Sequence, residues 1–202
     1  MLHPTPTLKE SPSQTGGPYV HIGLTPNYCG IHGVYDDMGA TIINGDVEGE
    51  RITLDIRLID GSGAPLYEAI VETWQCDANG NFPDPKATTL PAFTGWGRQP
   101  TDDTGLCRFE TIKPGRVVAP DGSLMAPHIA VWIVARGINI GLQTRVYFED
   151  EAEANAADFV LNKIPDKRRR KTLIARREDG PTPRYVLDVN FQGANETVFF
   201  DM

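Results

Sequence analysis

Arg51-Ile-Thr-Leu-Asp-Ile-Arg-Leu58 carries apolar side chains at Ile52, Leu54, Ile56 and Leu58 with polar ones between them, a period of two residues. A strand sends alternate side chains to opposite faces, so this segment is expected to be extended with one face buried. It stops at Asp60-Gly-Ser-Gly63, residues that tolerate positive φ, and Pro65 then leads into Ala69-Ile-Val-Glu-Thr-Trp74. The two apolar segments and the turn between them read as a β-hairpin.

Working outward, further strands are expected at Leu106–Ile112, His128–Arg136, Gln143–Phe148, Lys171–Arg176, Arg184–Phe191 and Thr197–Phe200. No regular helical pattern separates them, which argues against βαβ units and for an all-β fold, an antiparallel β-sandwich. Helix is expected only at Asp150–Asp158, rich in Ala and Glu, and in a second turn at Pro165–Arg170. The loops Thr25–Gly49, Asp77–Thr104 and Lys113–Pro127 are long, and long loops in compact domains gather sites or partner contacts. Prolines from Pro4 through Pro18 cannot feed a central strand. Residues 1–24 are therefore expected to form an extended N-terminal arm and residues 25–202 one sandwich domain. A chain of 202 residues, 40% hydrophobic, has material for one core.

The formal net charge of -8 argues against nucleic acid and anionic lipid as partners. Within that acidic chain, Lys167-Arg-Arg-Arg-Lys171 reads as a solvated turn or as a pairing surface for acids on another subunit. No window approaches the ~18 apolar residues of a membrane span, and Met1 to Gln14 lacks an apolar signal region. Cys29, Cys76 and Cys107 are odd in number and widely spaced, as expected of free thiols in a reducing cytoplasm.

Five motifs follow one another: Trp74-Gln-Cys-Asp-Ala-Asn-Gly80, Gly95-Trp-Gly-Arg98, Thr101-Asp-Asp-Thr-Gly105, Phe109-Glu-Thr-Ile-Lys-Pro-Gly115 and Ala126-Pro-His-Ile129. In this order, over about Ser11 to Met202, the chain resembles the intradiol ring-cleaving dioxygenases. Catalytic members of that family hold Fe(III) with two tyrosinates and two histidines, hard donors for a hard ion. The matching positions here are Phe82, Val117, His128 and Ala130, of which only His128 offers a lone pair. The resemblance thus implies a chain that binds no metal and carries no catalytic residue of its own, since one imidazole cannot hold iron against water.

Some members of the family pair two homologous chains, of which only the β chain carries iron. Thr15–Gly23, Ala135–Gly141, Arg145–Asn155 and Glu196–Asp201 resemble the iron-free α chain. This implies a homologous iron-bearing partner in a higher-order oligomer, and a small aromatic acid cleaved with O2 between its hydroxyl-bearing carbons. It also implies that Thr15, Gly17, Pro18 and Arg136 reach the partner's substrate site. A guanidinium fork suits the substrate carboxylate, Gly17 permits close approach of backbone, and Pro18 stiffens it.

Plainer readings stand beside these. Arg136 can be a strand-end arginine paired with a surface acid, and the arm can merely bury partner surface. His128 can be a relic, and Trp74, Trp96 and Trp132 can be core or interface aromatics. Tyr19 and His21, two residues apart on one strand face, invite a metal reading with Tyr28, His32 and Tyr35. A stand-alone module binding an aromatic acid is the remaining alternative.

Overall fold

A computed structural model of the chain describes residues 16–17, 19–84, 86 and 88–201. Its strands are β1 (Arg51–Ile59), β2 (Ala69–Trp74), β3 (Trp96–Pro100), β4 (Leu106–Ile112), β5 (His128–Ala135), β6 (Leu142–Phe148), β7 (Ile174–Glu178) and β8 (Arg184–Asn190). They form one sheet in the order β3-β2-β5-β6-β7-β8-β1-β4. Among the described residues, the strand pairing that joins the two four-stranded halves runs through Tyr147 and Phe148 on β6 and Ile174 and Ala175 on β7. The end strands β3 and β4 come back beside each other, so the sheet nearly closes on itself.

The alternation read in β1 builds the core. Ile52, Leu54, Ile56 and Leu58 are buried and pack with Val71, Ile129, Val131 and Ile133 of the other half. On β5 the same period buries Ile129, Val131, Ile133 and Ala135 and turns His128, Ala130, Trp132 and Val134 to the outer face. A smaller core of Tyr147, Leu161, Ile164, Leu173 and Val198 lies outside the sandwich, beneath the helices.

The hairpin reading of β1 and β2 is corrected. β1 pairs with β4 and, in parallel, with β8, whereas β2 pairs with β3 and β5. The Asp60 turn does form, with Asp60 Oδ1 accepting from Ser62 N at 2.8 Å and Ala64 N at 2.9 Å. Pairing then ends at an isolated Ile59–Pro65 bridge, and Glu68, at φ 57°, carries the chain to the opposite half. Both edges of β1 are already taken, and Ala69 and Val71 find cover across the core, while the equally buried Ile70 shares the outer face with its register partner Val134.

The sheet is also mixed where antiparallel pairing throughout was expected. Parallel neighbours need a crossover, and residues 149–173 supply one between β6 and β7. β3 fell in a segment read as loop, because Trp-Gly-Arg-Gln-Pro has no alternation; as an edge strand it tolerates Pro100. Lys171–Leu173 is a 3-10 turn before β7, and Thr197–Phe200 makes only an isolated bridge from Phe200 to Gln143.

Among the described residues four short α-helices stand where one or two were expected: α1 (Tyr19–Leu24), α2 (Ala152–Ala157), α3 (Phe159–Lys163) and α4 (Lys167–Arg170). Asp158 caps α3, accepting from Val160 N and Leu161 N, both at 2.9 Å. Helix α1 departs from the arm expected to stay extended to residue 24. Residues two apart on a helix point about 200° away from each other, so Tyr19 is exposed while His21 is buried, and the shared strand face does not exist. Thr25 prolongs the turn by donating its N–H and hydroxyl to the His21 carbonyl, both at 2.8 Å. Residues 1–15 and Pro18 lie outside the described residues. Among the described residues no helix is long and apolar enough to cross a membrane.

Candidate functional site

Two of the motif loops interlock through their glycines. Gly115 N donates to Asp77 O at 2.8 Å, and a Cβ on Gly115 would overlap Ala78 O and lie 2.7 Å from Gly80 N. Gly80, at φ 83°, meets Arg116 O just as closely. Beneath them the buried Gln75 joins β2 to β4, donating to Ile112 O at 2.9 Å and accepting from Thr111 Oγ1 at 2.9 Å. The scaffold that presents Phe82 and Val117 is thus tightly specified.

Cross-strand register brings the other positions together on the outer face of β2, β5 and β6. Ala130 stands between Trp74 and Arg145, and His128 stands beside Tyr147. Phe82 stacks on Trp74 with ring centroids 5.9 Å apart and planes within 8°. His128 uses Nδ1 on Ala126 O at 2.8 Å, and its ring lies 5.7 Å from that of Tyr147. Burial pushes the imidazole pKa below its ordinary value, and the Arg145 charge pushes the same way. Val117 lies on the loop that follows Gly115, where its carbonyl accepts from Met125 N at 2.9 Å.

These side chains do not fit a ferric ion. A phenyl ring, an isopropyl group and a methyl group stand at three of the four ligand positions, and the strand beside Ala130 contributes a guanidinium that repels any cation. Among the described residues no three His, Cys, Asp or Glu side chains converge where a metal could sit. The other metal reading fails on geometry as well. Tyr28 OH is engaged with Thr101 O at 3.2 Å, Tyr35 OH with Gly23 O, and His32 Nδ1 with Asn27 Oδ1 at 3.4 Å. Arg145 is the residue sequence reasoning passed over; the signal was its alternation with Gln143 and Tyr147, which gives all three the outward face of His128 and Ala130.

Trp74 and its neighbours are surface aromatics of this face rather than core. Trp74 is exposed, Arg98 lies 5.0 Å over the Trp96 ring, and Glu72 holds both Arg98, at 2.6 Å, and Trp96 Nε1, at 3.4 Å. The cysteines are free; burial pushes the Cys76 thiol up to about 11 and raises Cys107 further. In the basic run, Arg168 pairs with Asp166 at 3.2 Å and Arg169 with Glu196 at 3.1 Å.

A second cluster occupies the far end of β5. Arg136 follows the strand with 63% of its side chain exposed, and Nη1 donates to Glu68 Oε2 at 3.1 Å. Gly16 N donates to Ile138 O at 3.4 Å, and Gly16 packs against Val134, which seats the end of the arm beside the Arg136 turn. Gly17 has φ 62°, and no described atom lies within 4 Å of where its Cβ would be. Thr15 and Pro18, read with them, lie outside the described residues. Six residues at ~3.3 Å each separate Ala130 from Arg136, roughly 20 Å along the strand, so the two clusters do not form one site.

A family model described as Dioxygenase matches residues 24–192. The chain is 46% identical to the protocatechuate 3,4-dioxygenase alpha chain of Pseudomonas putida, covering 98% of this chain and 99% of that one. It is 30% identical to the protocatechuate 3,4-dioxygenase beta chain of Burkholderia cepacia, over 86% of this chain and 81% of that one. Among solved structures, it resembles in fold the 3-chlorocatechol 1,2-dioxygenase of Rhodococcus opacus 1CP, with a TM-score of 0.61 at 22% identity, covering 79% of this chain and 69% of that one.

Proposed function

Because the chain belongs to the dioxygenase family, we propose that it is the iron-free α chain of a two-chain protocatechuate 3,4-dioxygenase, completing the substrate site of a homologous iron-bearing β chain. Full-length similarity to an alpha chain and weaker similarity to a beta chain support that pairing. The observation that carries it is separation. Arg136 and Gly17 stand at one end of β5 and the degenerate ligand positions His128 and Ala130 at the other, too far apart for Arg136 to serve a site of its own chain. That separation supports a second chain as the source of what Arg136 acts on.

In the assembled enzyme the β chain would hold Fe(III), which would be the site for the catecholate and would supply the redox chemistry of ring opening with O2 to 3-carboxy-cis,cis-muconate. This chain contributes binding and shape. The Arg136 fork receives the ring carboxylate, and the substrate is held by the end that does not react. Gly17 turns the arm through a positive φ, no described atom lies within 4 Å of where its Cβ would be, and Thr15, Gly17 and Pro18 are the arm residues assigned to the partner's substrate site. The pairs assemble further into a cytoplasmic α–β oligomer.

Co-expression with a homologous chain bearing all four donors tests this. The expected product contains both chains in equal amounts, shows tyrosinate-to-iron charge-transfer colour and consumes O2 with protocatechuate, while this chain alone is colourless and inactive. Stoichiometric iron and ring cleavage by the lone chain would overturn it.

A further inference from the structure

A groove of about 430 Å³ lies between β6, α3 and the C-terminal segment, within the ~300–1,000 Å³ class of small-molecule sites. Ile164, Val198 and Phe200 form its apolar wall, over the smaller core. Arg145, Lys163 and Arg169 stand around it, with Asp201 the one carboxylate on its lining among the described residues. Such a cationic rim is unusual in a chain of net charge -8.

The chain's own acids do not account for that rim. Arg169 is engaged by Glu196 at 3.1 Å and by Thr197 O at 3.4 Å. Arg145 has no carboxylate within ion-pair distance among the described residues; it donates to Tyr147 OH at 3.4 Å and lies 5.9 Å over the Phe200 ring. The nearby buried Asp158 is satisfied without it, by the N–H groups of Ala126, Val160 and Leu161 at 2.9 Å each and by Tyr147 OH at 3.3 Å. Lys163 likewise has no acid within that distance among the described residues, and its ammonium sits 5.3 Å over the Phe159 ring. Two cations beside an apolar wall match an anion with a flat hydrophobic body.

We propose that this groove binds a small carboxylate with a planar apolar body, the carboxylate taken by Arg145 and Lys163 and the body laid against Phe200 and Ile164. Arg145 then links the ligand to the outer face of β5, where Ala130 is its register partner. The site belongs to this chain alone and does not rest on the two-chain reading.

Fluorine NMR titration of the full chain with 4-fluorobenzoate tests the proposal, with 4-fluorobenzyl alcohol as the uncharged body. One saturable site is expected, about tenfold or more tighter for the acid, because a charge-assisted bond is lost with the alcohol. Arg145→Gln and Lys163→Ala should each weaken the acid by roughly 5- to 10-fold, and Arg57→Gln, at an exposed position on β1, should not. Lys163 is exposed on α3, so its variant reports on the site even if Arg145→Gln fails to fold. Repeating the titration on the assembled complex, where benzoate also reaches the partner's iron, isolates the groove as the component that Lys163→Ala removes. No saturation, equal affinity for the alcohol, indifference to both substitutions, or binding that vanishes on assembly because the partner covers the groove would each overturn it.

Discussion

Replacing Arg136 by Gln removes the charge and the fork while keeping a side chain of similar reach. In the free chain the guanidinium is held only by Glu68, at 3.1 Å, with 63% of the arginine and 30% of the glutamate side chain exposed. Such a pair is worth about 0.2–1 kcal/mol, the cost of handing Arg136 to a substrate. Bonds from a guanidinium to a buried carboxylate are worth about 1.5–3 kcal/mol. The difference, about 0.5–2.8 kcal/mol, corresponds to a KM for protocatechuate raised roughly 2- to 100-fold. Because the carboxylate is remote from the reacting diol, kcat should change little. Oxygen uptake by the assembled enzyme reads both constants, and catechol, which lacks the carboxylate, is the control substrate. Arg136→Lys should fall between wild type and Arg136→Gln, and Glu68→Gln should leave KM unchanged or slightly lower. Equal losses with protocatechuate and catechol would mean that Arg136 only supports the fold, and no loss with either would refute the assignment.

Three further outcomes follow from the geometry. Asp55 is fully buried on β1 and takes Arg108 at 2.7 and 2.8 Å and Arg184 at 2.8 and 2.5 Å; burial pushes its pKa up, but those four bonds outweigh it and hold the pKa below the ordinary carboxylate value. Both arginines are more than a third exposed, so Asp55→Asn should cost about 1–3 kcal/mol in urea unfolding at pH 7. That contribution is complete above the unfolded value near ~3.9 and is lost as pH falls through the lower folded pKa, so the two proteins should converge in acid. Phe82→Tyr, Val117→Tyr and Ala130→His combined should hold iron poorly until Arg145→Gln is added, as metal analysis and visible absorption would record; full loading of the triple variant would show that Arg145 does not oppose the metal. Gly115→Ala, whose Cβ would overlap Ala78 O, should lower the thermal midpoint by several degrees, equivalent to about 1–3 kcal/mol.

What could be read from the sequence was whatever one strand decides by itself. The alternation in β1 named its buried face residue by residue, and β2 and β4 lie where their β-branched runs end. Partner choice was illegible: nothing local to Asp60–Pro65 records that both edges of β1 will be filled by β4 and β8, so a good hairpin turn leads to a crossing. Helix α1 was hidden for a related reason, since six residues with one buried side chain, His21, carry no period. The expectation at Phe82, Val117 and Ala130 was legible because it rests on side chains without a lone pair at fixed motif positions. Arg145 was not, because its meaning depends on register with Ala130 across a strand boundary.

The retention of the interlocked loops around a face without donors becomes intelligible once the two ends of β5 are considered together. Metal ligation needs four side chains, whereas the shape of the face needs Gly80, Gly115 and Gln75, and this chain carries only the second set. If two homologous chains pair about a pseudo-twofold axis, the arrangement that carries the Arg136 end of this chain to the partner's iron carries the partner's corresponding end toward His128 and Ala130. Selection on assembly then preserves the outer face of β5 as a docking shape and leaves its ligands free to drift. A phenylalanine stacked on Trp74 keeps that shape without a phenolic oxygen, which is what Phe82 does.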